Sequence, residues 1–533
     1  MNILGFNFDH DGSVCLVVDG KLVSAISSER ITRIKKMHGV TSHVVKYVLD
    51  SQNISIEDID AIALSDYNVD YSNGVLQLYD NQLKIFNTRQ TLFGNEYAEL
   101  SGVLMGRVIP TYVIPHHTCH AASAYYTSNF NESWCFSLDA SGGVSQHNSL
   151  IAKGKGNKLN VLGSPGLTVG MGYEVFTQYL GIGNPLHKAG STMGLASYGK
   201  PLKKLLDNID EYIEKCYVPF GTDKQVIWDY YNYLWEKLFG SNKRLFKEQS
   251  SSKLAMNIAA SIQYLFEKSI LNTINNIIEN DNNNNLCLSG GSFLNCNVNS
   301  KIKEETRFKN IHLFPACGDD GNSVGAALYV AHHIFNEKRY NYEPQDLIYL
   351  GKKHDIVEPD YKEIATMIAD GKIIAWFMGS SEYGPRALGS RSILADPRNF
   401  HNRELINFVV KKREWYRPLA PVVLEEYVQD WFEWTGQSNY MLFIAKVLNP
   451  EKIPAVVHID GTARLQTTNE KINKQYYRLI KEFFNQTGVP ILINTSLNSD
   501  GEPILESEED AQLFFSTNPG IDILVLNGKI FKK

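Results

Sequence analysis

Apolar and polar positions run along the chain in short blocks whose period changes twice. Residues 2 to 8 (NILGFNF) predict a strand, DHDGS a turn, and VCLVVDGKLVSAISSER two strands joined by a hairpin turn at 19 and 20. The same order returns from residue 134: WCFSLD predicts a strand, ASGGVSQ a turn, and HNSLIAKGKGNKLNVLG strand, glycine turn and strand. Two strand–acidic turn–hairpin units about 130 residues apart predict an internal duplication. The period then becomes helical. Residues 252 to 279 (SKLAMNIAASIQYLFEKSILNTINNIIE) place Leu254, Ile258, Ile262, Phe266 and Ile270 on one face. DNNNN at 281 to 285 is a loop, LCLSGGSFLNCNVNSKI a buried strand, Gly-Gly turn and helix, and 311 to 335 a strand, acidic glycine loop and helix.

This order of parts is that of the actin/hexokinase-type (ASKHA) ATPase fold. There, two hairpins each present an acidic residue and a later Gly-Gly turn lies under the nucleotide. Glycine suits that turn because, without Cβ, the backbone N–H groups approach phosphate or ribose closely. A lone Gly-Gly after a strand is an ordinary turn; the ordered set of pieces carries the nucleotide reading.

Residues 336 to 360 are polar, Pro-containing and aperiodic, and mark a boundary between domains at 1–345 and 346–533. The expected class is α/β, with an α+β second domain. Its strand-like runs are KIIAWF, SILAD, VVL, YMLFIAKVL, VVHID, VPILINTS and IDILVL, with helical patterns near 360–369, 401–412, 470–486 and 507–516.

Composition narrows the class. A chain of 533 residues exceeds one hydrophobic core and implies two to four domains. Hydrophobic residues at 43% and charged residues at 21% are ordinary for a soluble globular protein. A net charge of −6 provides no field to attract nucleic acid. No apolar run approaches the roughly 18 residues of a membrane span, and no secretory signal is visible. The seven cysteines are scattered without C-x-x-C, which suits reduced thiols and a cytoplasmic location and removes a cysteine zinc-ribbon.

The first domain offers His10, Asp11, His116, His117, His120, Asp139, Asp319 and Asp320. In HHTCHAASA, His116 and His120 stand four apart, so on a helix their imidazoles share one face and can converge on one ion. With a distant carboxylate such a pair suits Fe, Mn or Zn better than Mg. The same segment also reads as a helix start with incidental, capped histidines. Asp139 and GDDG on predicted turns of the same domain tilt the reading toward a metal. The second domain is denser. SSEYGPRALGSRSILADPR and KKREWYRPLAP supply Arg386, Arg391, Arg398, Lys411, Lys412, Arg413 and Arg417 among Gly, Pro and apolar residues. Cations in such segments need carboxylate or phosphate partners, because unpaired burial is costly. Some pair within the protein, with Glu382, Asp396 or Glu414; a small anionic substrate is expected for the others. His458, Asp460, Arg464, Gln466, Asn494, Ser496 and Asn498 add polar strand ends.

GPRALGSRSILADPR, KKREWYRPLAP, HIDGTARLQT, NTSLNSDGEPI, HHTCHAASA and MGLASYG together resemble the O-carbamoyltransferases of antibiotic and nodulation-factor biosynthesis. The resemblance spans essentially the whole chain. It implies a first domain similar to the enzyme that makes threonylcarbamoyl-adenosine in tRNA and a YrdC-like second domain. The second would form carbamoyl adenylate from carbamoyl phosphate and ATP, and the first would move the carbamoyl group to an acceptor hydroxyl. By resemblance, Arg386, Lys411 and Arg417 hold carbamoyl phosphate and the adenylate, with Asn494 and Ser496 beside them. His116, His120 and Asp319 are metal ligands, with Asp139 close by or a fourth. Gly290, Gly291 and Asn295, with Asp139, line the nucleotide turn, and His10 is the general base. The implied cofactors are ATP, Mg2+ and Fe2+ or another divalent transition metal. In KAGSTMGLASYG, Ser191 stands where the family commonly has Lys, so nucleotide contacts differ or Lys188 substitutes. Hydrogenase-maturation relatives carry acylphosphatase and zinc-finger modules that are not seen here.

The expected function is therefore ATP-dependent O-carbamoyl transfer to a hydroxyl of a sugar or natural product, without nucleic-acid or membrane partners. A tRNA-modifying or related carbamoyl-adenylate enzyme and a non-catalytic nucleotide- and metal-binding protein are the alternatives. The acceptor is not legible. Tyrosines 67, 71, 79, 97, 217, 230, 231 and 233 read as packing before sugar stacking. Oligomeric state is not legible either, and a homodimer is carried only as an open alternative.

Overall fold

The computed structural model describes residues 1–66, 96–142, 148–219, 221–240, 244–276 and 281–533, and the backbone of 83–86. Tyr67, Tyr71 and Tyr79 lie outside the described residues. Contacts divide the chain into two compact units: Met1–Ser28 with Lys36–Tyr342, and Glu29–Lys35 with Glu343–Lys533.

The first unit holds β1 (Asn2–Asn7), β2 (Ser13–Val18), β3 (Lys21–Ser27), β4 (Ala61–Asp66), β5 (Leu83–Phe86), β6 (Ala98–Leu104) and β7 (Arg107–Pro115), then β8 (Glu132–Leu138), β9 (Ser149–Lys155), β10 (Lys158–Gly163), β11 (Asn285–Ser289) and β12 (Asn310–Leu313). They form two sheets, ordered β3-β2-β1-β4-β7-β6-β5 and β10-β9-β8-β11-β12. In each, an antiparallel three-strand meander is followed by two strands parallel to its first. The duplication suggested by the turns is thus present as a repeated strand order, that of the actin/hexokinase-type fold, with β5 and β6 added at one edge. β1 and β4 are buried along nearly their whole length, so they read as continuous apolar runs and not as alternating ones.

The helix His116–Thr127 follows β7 directly and is wholly buried, as is the helix Asn322–Leu328. Their backbones touch at Gly325, where a Cβ would lie 1.8 Å from the Cys119 carbonyl oxygen. The helical stretch predicted from 252 is the helix Lys253–Asn276. Ile258, Ile262, Phe266 and Ile270 are buried, but Leu254, in the first turn, is 48% exposed. All seven cysteines are free and buried.

The second unit is one mixed sheet: β13 (Ile374–Phe377), β14 (Arg391–Ala395), β15 (Ala420–Leu424), β16 (Phe443–Lys446), β17 (Thr462–Thr468), β18 (Ile491–Ser496), β19 (Ile523–Leu526) and β20 (Lys529–Lys532), in the order β16-β17-β15-β18-β14-β13-β19-β20. Helices Tyr361–Ala369, Lys474–Thr487 and Glu508–Thr517 occupy three of the predicted positions, and the fourth is the short helix His401–Leu405, prolonged by a wider turn to Val410. VVHID is not a strand. Its start is a short helical turn, and His458 closes a tight turn with Gly461, so the strand begins at Thr462. Among the described residues no helix is long and apolar enough to cross a membrane.

Candidate functional site

In the first unit, β7 ends at Pro115 and the helix begins at His116, which aims His116 and His120 into one place. Their Nε2 atoms are 3.1 Å apart. His120 Nε2 lies 3.3 Å from Asp139 Oδ2 and 3.2 Å from Asp319 Oδ1, and His116 Nε2 lies 3.6 Å from the same Asp319 oxygen. Asp139 stands at the end of β8, and Asp319 opens the turn before Asn322–Leu328. One ligand atom from each of the four residues falls within 4.8 Å of the others. Two imidazole nitrogens and two carboxylate oxygens, nearly out of water, are a donor set for a transition metal. The buried Asp319 Oδ1 accepts no well-formed hydrogen bond, which also fits a ligand atom. The Asn322 amide sits 3.3 Å from His116 Nδ1, and its buried Oδ1 has no partner as placed. Turned by 180 degrees, that oxygen accepts the Nδ1 proton and leaves Nε2 bare for a metal. His120 Nδ1 has no such support. His117 stands apart, its Nδ1 3.0 Å from Ser137 Oγ.

The protein's own charges mark the centre as electrostatically tense. Burial opposes charge on His120, but Asp139 and Asp319 outweigh it and raise the imidazole to about 9. Burial and the neighbouring His120 and His117 lower His116 well below its usual value. Burial, more than Asp139, lifts Asp319 to about 6.

His10 is on the same centre. Its Nε2 is 3.2 Å from Asp319 Oδ2 and its Nδ1 3.1 Å from Asp11 Oδ2. Burial disfavours its charge, yet Asp319, Asp11 and Asp9 raise it to about 10. Asp11 also pairs with the Lys36 ammonium at 2.5 Å, and both residues hold positive φ, 60° and 56°. Non-glycine residues in that region are strained, and such strain gathers at functional sites. Asp9, His10 and Asp319 form a second group with ligand atoms within 4.8 Å.

The Gly-Gly turn joins the cluster through Asp139, whose Oδ2 accepts from Gly291 N at 3.1 Å. Gly290 has φ 97°, and a Cβ there would lie 2.2 Å from the Leu138 carbonyl oxygen, so only glycine fits. Asn295 is spent internally: its oxygen caps the helix Cys296–Glu305 and its amide donates to Gln263 Oε1 at 2.9 Å. Ser191 is fully buried in the helix Pro185–Ala196, and Lys188 is half-buried two turns from that helix's end. Glu174 has no counterpart among the sequence candidates. It lies one turn after Gly170 on the helix Val169–Tyr179, and a Cβ on Gly170 would stand 2.5 Å from the Asp139 carbonyl oxygen. Burial, with Asp139 and Asp319 in reach, lifts Glu174 to about 7.

The second site lies within the second unit. Lys411 is 2% exposed. Its ammonium donates to Ser496 Oγ at 2.9 Å, to Asn498 Oδ1 at 2.6 Å and to the Ser496 carbonyl. Burial, then Arg413 and Arg417, lower its pKa well below the lysine range. Burial and the charges of Arg417 and Arg464 act likewise on Arg413, whose Nη2 is buried without a partner. Asn494, on the same strand as Ser496, donates to Gln466 Oε1 at 2.7 Å and to the Ala387 carbonyl at 3.0 Å. That last bond fixes the residue beside Arg386 to β18. The structure therefore gathers Lys411, Arg413, Arg417, Arg464 and Ser496 around one region of the sheet, with Asp500 and Glu414 as the nearby acids, and links Arg386 to it through the bond from Asn494 to the Ala387 carbonyl. Arg391 and Arg398 are occupied elsewhere, over the Phe377 ring and against Asp396.

The first unit thus combines a repeated actin/hexokinase-type core with a two-histidine, two-carboxylate cluster, and the second is a mixed-sheet unit with a cationic site. The family description "Carbamoyltransferase N-terminus" matches residues 2–328 and "Carbamoyltransferase C-terminus" matches 365–533, so the chain belongs to the carbamoyltransferase family, a family of transferases. Nodulation protein NolNO of Sinorhizobium fredii is 32% identical over 99% of this chain and 79% of its own length. An uncharacterised protein of Synechocystis is 32% identical over 100% of this chain and 97% of its own, and one of Methanocaldococcus jannaschii 31% identical over 100% of both.

Proposed function

We propose that this carbamoyltransferase couples two half-reactions, one in each unit. In the C-terminal unit, read as YrdC-like, carbamoyl phosphate gives up phosphate to water, and a carbamate oxygen attacks the α-phosphorus of ATP. Pyrophosphate leaves and carbamoyl adenylate remains. In the N-terminal unit an acceptor hydroxyl oxygen attacks the carbamoyl carbon, the bond to AMP breaks, and His10 takes the hydroxyl proton. The observation that carries the reading is the cationic set of the buried Lys411 with the half-buried Arg413 and Arg417. Lys411 donates to neutral oxygens, and burial with Arg413 and Arg417 disfavours its charge, so an incoming anion is the partner that would stabilise the ammonium. Arg386, Asn494 and Ser496 are assigned to the same ligand, and Mg2+ is expected to arrive with ATP.

His116, His120, Asp139 and Asp319 would hold the metal, Fe2+ being the expected ion. A divalent cation held there would supply positive charge near a bound phosphate and would draw Asp319's charge away from His10. Gly290 and Gly291 let the backbone approach the nucleotide. The acceptor is read as a sugar or natural-product hydroxyl, since a net charge of −6 sits badly with a nucleic-acid substrate. His10→Asn is the test: it is expected to keep carbamoyl-phosphate-dependent pyrophosphate release and lose carbamoylation of an acceptor. Transfer at the wild-type rate by that variant removes the base assignment.

A further inference from the structure

The segment Glu29–Lys35 follows β3 in sequence, yet it clusters with residues 343–533. Arg30 is 2% exposed. Its Nη2 donates to the carbonyls of Glu382 and Gly384 at 3.2 and 3.1 Å, and its Nη1 stands 4.0 Å from Glu506 Oε2. Those carbonyls belong to the loop that carries Arg386. The Glu382 carboxylate pins the far side of the loop, accepting from the N–H groups of Leu388, Ser390 and Arg391. Arg33 donates from Nη1 and Nη2 to the carbonyls of Ile504 and Pro503, at 2.8 and 2.9 Å. These close the turn that begins at Asn498, where Asn498 Nδ2 donates to the Glu502 carbonyl and Asp500 N to the Lys411 carbonyl. Each guanidinium thus holds one of the two loops flanking the Lys411 site through a pair of backbone carbonyls, Arg33 with its two terminal nitrogens and Arg30 with Nη2 alone.

We propose that Glu29–Lys35 is a working part of the anion site, with Arg30 a positioning residue for Arg386 and Arg33 a positioning residue for the Asn498–Asp500 turn. The inference rests on the assignment of that site to carbamoyl phosphate and ATP. A loop released at one carbonyl pair shifts its cation by a fraction of an ångström to about 1 Å, enough to cost about a hundredfold in rate.

The test is steady-state pyrophosphate release by the full-length protein with varied carbamoyl phosphate. Arg30→Ala is expected to raise the KM for carbamoyl phosphate and lower kcat/KM about 100-fold, and millimolar guanidinium to recover part of the loss. Arg33→Ala, at a residue whose side chain is 28% exposed, keeps the test open if Arg30→Ala does not fold, and is expected to raise that KM about tenfold. Unchanged KM in Arg33→Ala, or an Arg30→Ala loss confined to kcat and blind to guanidinium, overturns the positioning role. If the wild-type protein itself releases no carbamoyl-phosphate-dependent pyrophosphate, the assignment of the site fails first and the inference with it.

Discussion

Asp319 faces two ways, Oδ1 toward His116 and His120 and Oδ2 toward His10, so one carboxylate ties the metal-type cluster to the residue assigned as base. His116→Ala with His120→Ala removes both nitrogen donors. The double variant is expected to lose more than nine-tenths of the bound divalent transition metal by elemental analysis, and unchanged content would return the histidines to a structural role. The members of this cluster were legible because their types are uncommon together and their spacings fall on turns and one helix face. Glu174 was not, since a single acid in the apolar run VGMGYEVF belongs to no motif, and only the contact of Gly170 with Asp139 brings it to the site. Asn322 was equally silent. Its use depends on the orientation of an amide, which a sequence does not record.

At the scale of elements, the period of the apolar pattern located most strands and helices, because a strand buried on one or both faces and an amphipathic helix each leave a distinct spacing. Where it failed, local chemistry won. VVHID is apolar enough for a strand, but the Asp460-Gly461 turn takes its backbone, and Asp460 Oδ1 accepts from Thr462 N. β20 was missed because it is a short, exposed edge strand paired only with β19. The packing of the His116–Thr127 and Asn322–Leu328 helices at Gly325 is a close backbone approach invisible to periodicity. Gly325→Ala must push these helices apart and is expected to cost about 3 kcal/mol or more, read as a lower denaturation midpoint. An unchanged midpoint would show that the contact relaxes freely. His332, fully buried with Nδ1 donating to the Glu337 carbonyl, is lowered by burial from 6.5 to about 4. The unfolded chain therefore binds a proton over that interval that the folded one refuses. Stability from this group is complete above about 6.5 and falls as pH drops toward 4, by roughly 3 kcal/mol. His332→Asn is expected to lessen the slope of unfolding free energy against pH in that window by about one proton; an unaltered slope would contradict the burial argument.

Across the whole molecule, the sequence resolves the order of the two units but not how the chain is shared between them. A break near 336–360 follows from composition. The return of residues 29–35 to the C-terminal unit does not, because Arg30 and the carbonyls it binds are more than 350 residues apart and nothing in ERITRIK announces them. The same holds for the site at Lys411, whose neighbours come from 413, 417 and 496 to 500: each stretch is cation-rich or polar in sequence, and only the fold brings them side by side. The division into an adenylate-forming unit and a transferring unit is most directly tested without any acceptor. Purified protein, replete with metal, is incubated with ATP, Mg2+ and carbamoyl phosphate, and pyrophosphate is followed against controls lacking each substrate and against Lys411→Ala. Release that requires carbamoyl phosphate and falls at least about 100-fold in the variant is the expected result. Release that ignores carbamoyl phosphate, or that survives Lys411→Ala at the wild-type rate, would contradict the assignment of the C-terminal unit.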